Sequence, residues 1–166
     1  EAYMNTGNQR SSATSLGAFT KTTPTGKKES SKNIDFMLLH QDLAYQATAS
    51  IGDIQDFKRK VKKAKEVDGP SFIHVHAPCP SGWYFPTGQT IKVGRLAIES
   101  GLWQLWEKEN GKIKINRKKF DLEKVNEYLS LQGRYKNVTD EVIEEIKKEV
   151  MRKYEVLKKF EELDFI

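Results

Sequence analysis

The sequence predicts an α/β fold, with a mixed, mostly parallel sheet flanked by helices and followed by a helical C-terminal tail. Two observations carry this. The order strand, helix, strand between residues 43 and 76 is that of a parallel crossover unit. Beyond a small hairpin signalled by Asn110-Gly111, helical periodicity takes over to the end. The 166 residues are enough for one domain with a sizeable core.

Residues 7–33 are rich in Ser, Thr, Gly and Lys and show little periodicity, so they predict a long loop. Loops of that length are usually functional or disordered. Residues 34–40 form a short apolar segment expected to be helical, with His40 at its end facing the helix dipole. Tyr45, Ala47 and Ala49 alternate with polar neighbours, which predicts a strand over 43–50. Gly52-Asp53 then opens an amphipathic helix expected to pack by the stripe Ile54, Phe57, Val61 and Ala64 and to end near Asp68-Gly69-Pro70.

Phe72, Ile73 and Val75 make residues 71–76 the second strand. The stretch 77–83 follows it, where two prolines and a glycine are expected to exclude regular structure and fix the backbone around Cys79. Ligands collect beyond the carboxyl ends of strands in such sheets. A helix is predicted over 90–100, closed by Gly101, and hairpin strands over 102–107 and 112–116. Two more helices are expected, at 122–131 and from Asp140 to about Glu162. The last is capped by Thr139 and striped by Val142, Ile146, Val150, Tyr154, Leu157 and Phe160, so it packs on a partner or on the body of the chain.

The net charge of +5 comes from Lys interspersed with Glu along helical stretches such as 144–159, a solvated and salt-bridged face. No basic patch is interleaved with stacking aromatics, so nucleic acid is not an expected partner. No apolar run reaches the roughly 20 residues that a membrane span needs. A single cysteine excludes an internal disulfide and fits a reducing compartment, so a cytoplasmic location is expected. His74 and His76 share one strand face, but with no third ligand nearby they read as core or interface histidines. The three tryptophans read as packing residues.

Two separated motifs carry a resemblance. The first runs Tyr3-Met4-Asn5-Thr6-Gly7-Asn8-Gln9-Arg10-Ser11 and continues through Ala13-Thr14, Gly17-Ala18, Thr22-Thr23-Pro24 and Gly26-Lys27. The second is Ala77-Pro78-Cys79-Pro80-Ser81-Gly82-Trp83, followed by Thr90-Ile91, Arg95-Leu96-Ala97 and Glu99-Ser100-Gly101. Together they resemble the C-terminal half of the thiamine-diphosphate-binding (beta) subunit of pyruvate:ferredoxin oxidoreductase, in the 2-oxoacid:ferredoxin oxidoreductase family.

The resemblance implies the C-terminal part of a thiamine-diphosphate-binding fold over 1–115, including one cluster-ligand loop, and a helical C-terminal extension over 116–166. It implies that the carbonyl of Ala2 is a Mg2+ ligand and that Asn5 reaches the thiazolium and the 2-oxoacid. Thr6 would help hold the cofactor, and Gly7 would permit the close backbone approach. Cys79 would be one ligand of a 4Fe-4S cluster, a centre that needs four thiolates in its usual form.

The other three cysteines and a second Mg2+ anchor are expected upstream of Glu1, so the chain is expected to be a piece of something longer. Its partners would then be the upstream half of the beta subunit, alpha-, gamma- and delta-type subunits, ferredoxin, pyruvate and coenzyme A. The implied reaction is oxidative decarboxylation of pyruvate to acetyl-CoA. The alternatives are a branched-chain 2-oxoacid oxidoreductase subunit, or an inactive assembly fragment of such a subunit.

Overall fold

The computed structural model describes residues 1–3 and 9–163. The chain enters as β1 (Ala2–Tyr3), which pairs antiparallel with β2 (Gln9–Arg10), Ala2 opposite Arg10 and Tyr3 opposite Gln9. The long Ser/Thr-rich stretch then folds on itself around a buried ammonium. Lys27 is 5% exposed, and its Nζ donates to the carbonyls of Ser12 (2.9 Å), Thr14 (2.7 Å) and Ser30 (3.3 Å). Three carbonyl acceptors offset the cost of burying that charge.

After α1 (Ile34–Leu38), capped by the Asn33 side chain, come β3 (Tyr45–Ser50), α2 (Ile54–Glu66) and β4 (Ser71–His76). β3 and β4 run parallel, from Tyr45 opposite Ser71 to Ser50 opposite His76, as the crossover pattern predicts. The chain continues through α3 (Pro80–Trp83), α4 (Thr90–Glu99), the hairpin β5 (Trp106–Glu109) and β6 (Lys112–Ile115), then α5 (Lys124–Ser130) and α6 (Asp140–Glu161). The sheet order is β4-β3-β5-β6. The sheet is mixed, as expected, but one of its three strand pairings is parallel and the other two are not: β3 pairs antiparallel with β5, and β5 with β6. Central β3 is buried at every residue, which suits a strand covered on both faces.

Three local expectations change. Residues 80–83 form one helical turn, because Pro80 stands at its first position, where the missing N–H costs nothing. The first hairpin strand lies at 106–109, four residues later than its expected start, so that Asn110-Gly111 alone makes the two-residue turn with φ of 49° and 73°. Thr139 occupies the N-cap of α6 with extended backbone, yet its hydroxyl makes no capping bond.

The largest change concerns α2. Ile54 and Val61 are exposed, and the helix instead buries Lys60, 0% exposed. The reason lies opposite, where β3 and β5 present polar groups. Lys60 Nζ donates to the Thr48 carbonyl at 2.7 Å and pairs with Asp56 at 2.6 Å. Beside it Glu107, its side chain 4% exposed, accepts from the Tyr45 hydroxyl at 2.7 Å, from Arg59 at 2.9 Å and from Asn116 at 2.9 Å. A hydrophobic pattern cannot show a helix face that is matched by charge.

Two apolar clusters hold the rest. One gathers Leu16, Trp83, Val93, Val125, Tyr128 and Ile146, so the first loop, the Cys79 region and the C-terminal helices share one core. The other joins Leu39, Trp106, Ile113, Ile115 and Leu157, which docks α6 on the hairpin and on the body of the chain. Among the described residues no helix is long and apolar enough to cross a membrane.

The turn after β3 touches α4 at backbone level. A Cβ on Gly52 would stand 2.3 Å from the Gly94 carbonyl carbon and 2.5 Å from the Arg95 nitrogen. Gly52→Ala should therefore destabilise the subunit by about 1–3 kcal/mol, through the backbone shift that overpacking forces. A denaturation midpoint equal to wild type would contradict this contact.

Candidate functional site

Ala2 lies in β1, and its neighbour Glu1 is tied down twice. The Glu1 carbonyl accepts from the Ser11 hydroxyl at 2.6 Å and from the Thr14 hydroxyl, whose own backbone carbonyl is held by Lys27. Asn5, Thr6 and Gly7 lie outside the described residues. Tyr3 and Gln9, which flank their segment, sit opposite each other in the two-stranded ladder.

Cys79 stands just past β4 with extended backbone, φ −105° and ψ 101°, as the N-cap residue of α3. Its thiol is half-buried, with Ser81 Oγ at 3.6 Å. A partly open thiol at a strand's carboxyl end suits a ligand of a soft metal centre. The strand carbonyl of Ala2 is a hard oxygen donor that suits Mg2+. Each fits its implied group as one ligand, and neither completes a set. Among the described residues no group of three or more His, Cys, Asp or Glu is placed to hold a metal ion.

What joins the two motifs is Arg134, a residue that neither contains. Its guanidinium is 3.7 Å from the centre of the Trp83 ring and pairs with the Glu1 carboxylate. Trp83 in turn donates its backbone N–H to the Cys79 carbonyl at 2.9 Å. Burial works to raise the Glu1 pKa, but Arg134 outweighs it and holds that carboxyl below its usual range.

His76 is 6% exposed, between Trp83 (5.7 Å) and Trp103 (5.1 Å), and burial pushes its pKa down to about 4. It is neutral at physiological pH. His74 binds Asp35 through Nδ1 at 2.9 Å and packs edge-on against Trp103. That pair lines a cavity of about 200 Å³ shared with Glu1 and Ser15.

Residues 1–75 match the model of the thiamine pyrophosphate enzyme C-terminal TPP-binding domain. The chain is 47% identical to ketoisovalerate oxidoreductase subunit VorB of Pyrococcus abyssi, over 98% of this chain and 55% of that protein. It is 45% identical to pyruvate synthase subunit PorB of Methanocaldococcus jannaschii, over 95% and 54%. With the PorB subunit of Pyrococcus furiosus the identity is 41%, over 95% and 55%. The chain is a homologue of 2-oxoacid:ferredoxin oxidoreductase beta subunits. It spans about half the length of the curated relatives it matches.

In this beta-subunit homologue the sequence motifs mark Cys79 and the Ala2 region and include Lys27 without giving it a role, but they miss Arg134, which fastens the two together. The signal for Lys27 was present, since it stands inside the first motif beside Gly26. The only hint for Arg134 was Gly-Arg-Tyr at the break between two predicted helices. There the Gly133 N–H bonds the Tyr84 carbonyl at 3.0 Å, and a Cβ on Gly133 would stand 2.8 Å from the Tyr84 Cβ.

Proposed function

We propose that this chain is the cofactor-closing and cluster-binding part of a beta subunit in an enzyme that oxidatively decarboxylates pyruvate, with coenzyme A as acceptor and ferredoxin taking the electrons. The observation that supports it best is the Glu1–Arg134–Trp83 chain of contacts, which brings the Ala2 strand and the Cys79 loop to one place. The names of the relatives support the reaction class.

Bound thiamine diphosphate supplies the nucleophile and the electron sink, and the protein supplies placement and electrostatics. In this reading the Ala2 carbonyl is one Mg2+ ligand, Thr6 and Gly7 seat the cofactor, and Asn5 orients the 2-oxoacid. Cys79 is one thiolate of a 4Fe-4S cluster, and the remaining ligands come from outside this chain. Residues 1–115 form the cofactor part and 116–166 the helical extension, which also delivers Arg134 to the site. The enzyme works in the cytoplasm with alpha-, gamma- and delta-type partner subunits.

A branched-chain 2-oxoacid is the second reading, favoured by the 47% identity to the ketoisovalerate subunit. The assembled enzyme, assayed with coenzyme A and ferredoxin, separates the two. Pyruvate should exceed 2-oxoisovalerate in kcat/KM by about 10-fold or more, the discrimination that one or two methyl groups can carry. The reverse order would establish the second reading, and a colourless complex inactive on both would leave only an assembly role. Asn5→Ala should cut turnover on the preferred acid by about 2–4 kcal/mol if it acts as a preorganised donor. Unchanged kcat would remove it from the site.

A further inference from the structure

Arg134 is 3% exposed, and besides Glu1 its guanidinium donates to Gln132 Oε1 at 2.8 Å and to the Tyr128 hydroxyl at 3.4 Å. Its backbone carbonyl accepts from the Phe19 N–H at 2.7 Å, so first loop, extension and Cys79 region all converge on it. A buried ion pair is a poor way merely to stabilise a core, because an apolar residue of similar volume often does as well or better. This cation instead stands over the indole ring of the residue that closes the Cys79 turn, 3.7 Å from its centre.

We propose that Arg134 is a positioning residue for electron transfer: paired with Glu1, it fixes β1 against α3 and sets the electrostatic field in which the Cys79 cluster is reduced. This rests on the reading of Cys79 as a cluster ligand. The step is the entry of one electron, released by oxidation of the 2-oxoacid, into the oxidised cluster; no bond or proton changes hands at Arg134. A thiolate-held cluster gains negative charge on reduction, so a nearby buried cation favours the reduced form and a nearby carboxylate opposes it. The two members of the pair therefore act with opposite sign.

The test is a redox titration of the Cys79 cluster, followed by electron paramagnetic resonance, in the assembled complex carrying wild-type subunit, Arg134→Met, Arg134→Lys or Glu1→Gln. The expected midpoint is more negative than wild type for Arg134→Met and less negative for Glu1→Gln, with Arg134→Lys nearer to wild type than the Met variant. A merely structural role would move the Met and Gln variants the same way or leave both at the wild-type potential, and either result overturns the proposal. Should Arg134→Met fail to assemble, Glu1→Gln decides alone, a less negative midpoint supporting the proposal and any other overturning it. A wild-type complex without the cluster signal would bring down the functional reading itself, whereas a normal wild-type signal with unshifted variants strikes only at Arg134.

Discussion

With Cys79 as the cluster ligand proposed above, replacing it with Ser in the assembled enzyme should abolish the 4Fe-4S cluster, with loss of its iron and of ferredoxin reduction. The decarboxylation half-reaction should survive in part. A hydroxyl is a far poorer ligand for iron in a sulfur cluster than a thiolate, and the fixed backbone at this position leaves little room for a substitute. Because Ser matches Cys in shape, the fold should persist, and the Trp83 N–H still finds the carbonyl of residue 79. Iron content and the reduced-cluster spectrum provide the check. Wild-type iron in the variant would show that the thiol is an ordinary half-buried side chain packed on the core.

The second large effect is one of stability. Glu107→Ala should cost about 3–5 kcal/mol, because it leaves Arg59, Tyr45, Asn116 and Lys63 around an uncompensated site between α2 and the sheet. Burial by itself would raise the Glu107 pKa. The bonds from Arg59, Tyr45 and Asn116 outweigh it and hold the carboxyl down at about 2, against an ordinary value of 4.5. A depressed folded-state pKa means a stabilisation that is complete above about pH 5 and lost as pH falls towards 2. Across that window the wild type should lose about 3 kcal/mol more than Glu107→Gln does. Chemical denaturation at a series of pH values measures this, and parallel curves for the two proteins would mean that the carboxylate is not held as described.

The strand pair β3–β4, the helices α4 and α6 and the turn at Asn110-Gly111 were legible in the sequence, because periodicity and turn chemistry are local. The stripe of α2 was not. Its pattern of Ile54, Phe57, Val61 and Ala64 looked like a buried face, but the true buried face centres on Lys60, and the sequence cannot show that Asp56, Glu107 and the Thr48 carbonyl converge there. The mixed sheet was expected, yet its antiparallel majority follows from the hairpin inserting beside β3, a choice made by long-range packing.

The same division applies to the site. Cys79 stood out because prolines flank it just after a strand, while Arg134 sits 55 positions later in a short turn between helices. Its partners Glu1 and Trp83 are far from it in the chain, so nothing in its neighbourhood signals burial. The C-terminal tail, expected to pack on a partner or on the body of the chain, is thus preceded by a turn that contributes the residue tying both motifs together.

The proposal that the Ala2 strand and the Cys79 loop meet at one redox site is tested most directly by anomalous diffraction at the iron edge from crystals of the assembled enzyme. The account predicts an iron peak bonded to the Cys79 sulfur, close to the Trp83 ring that Arg134 covers. Iron held entirely by other residues, with the Cys79 thiol unligated, would contradict it.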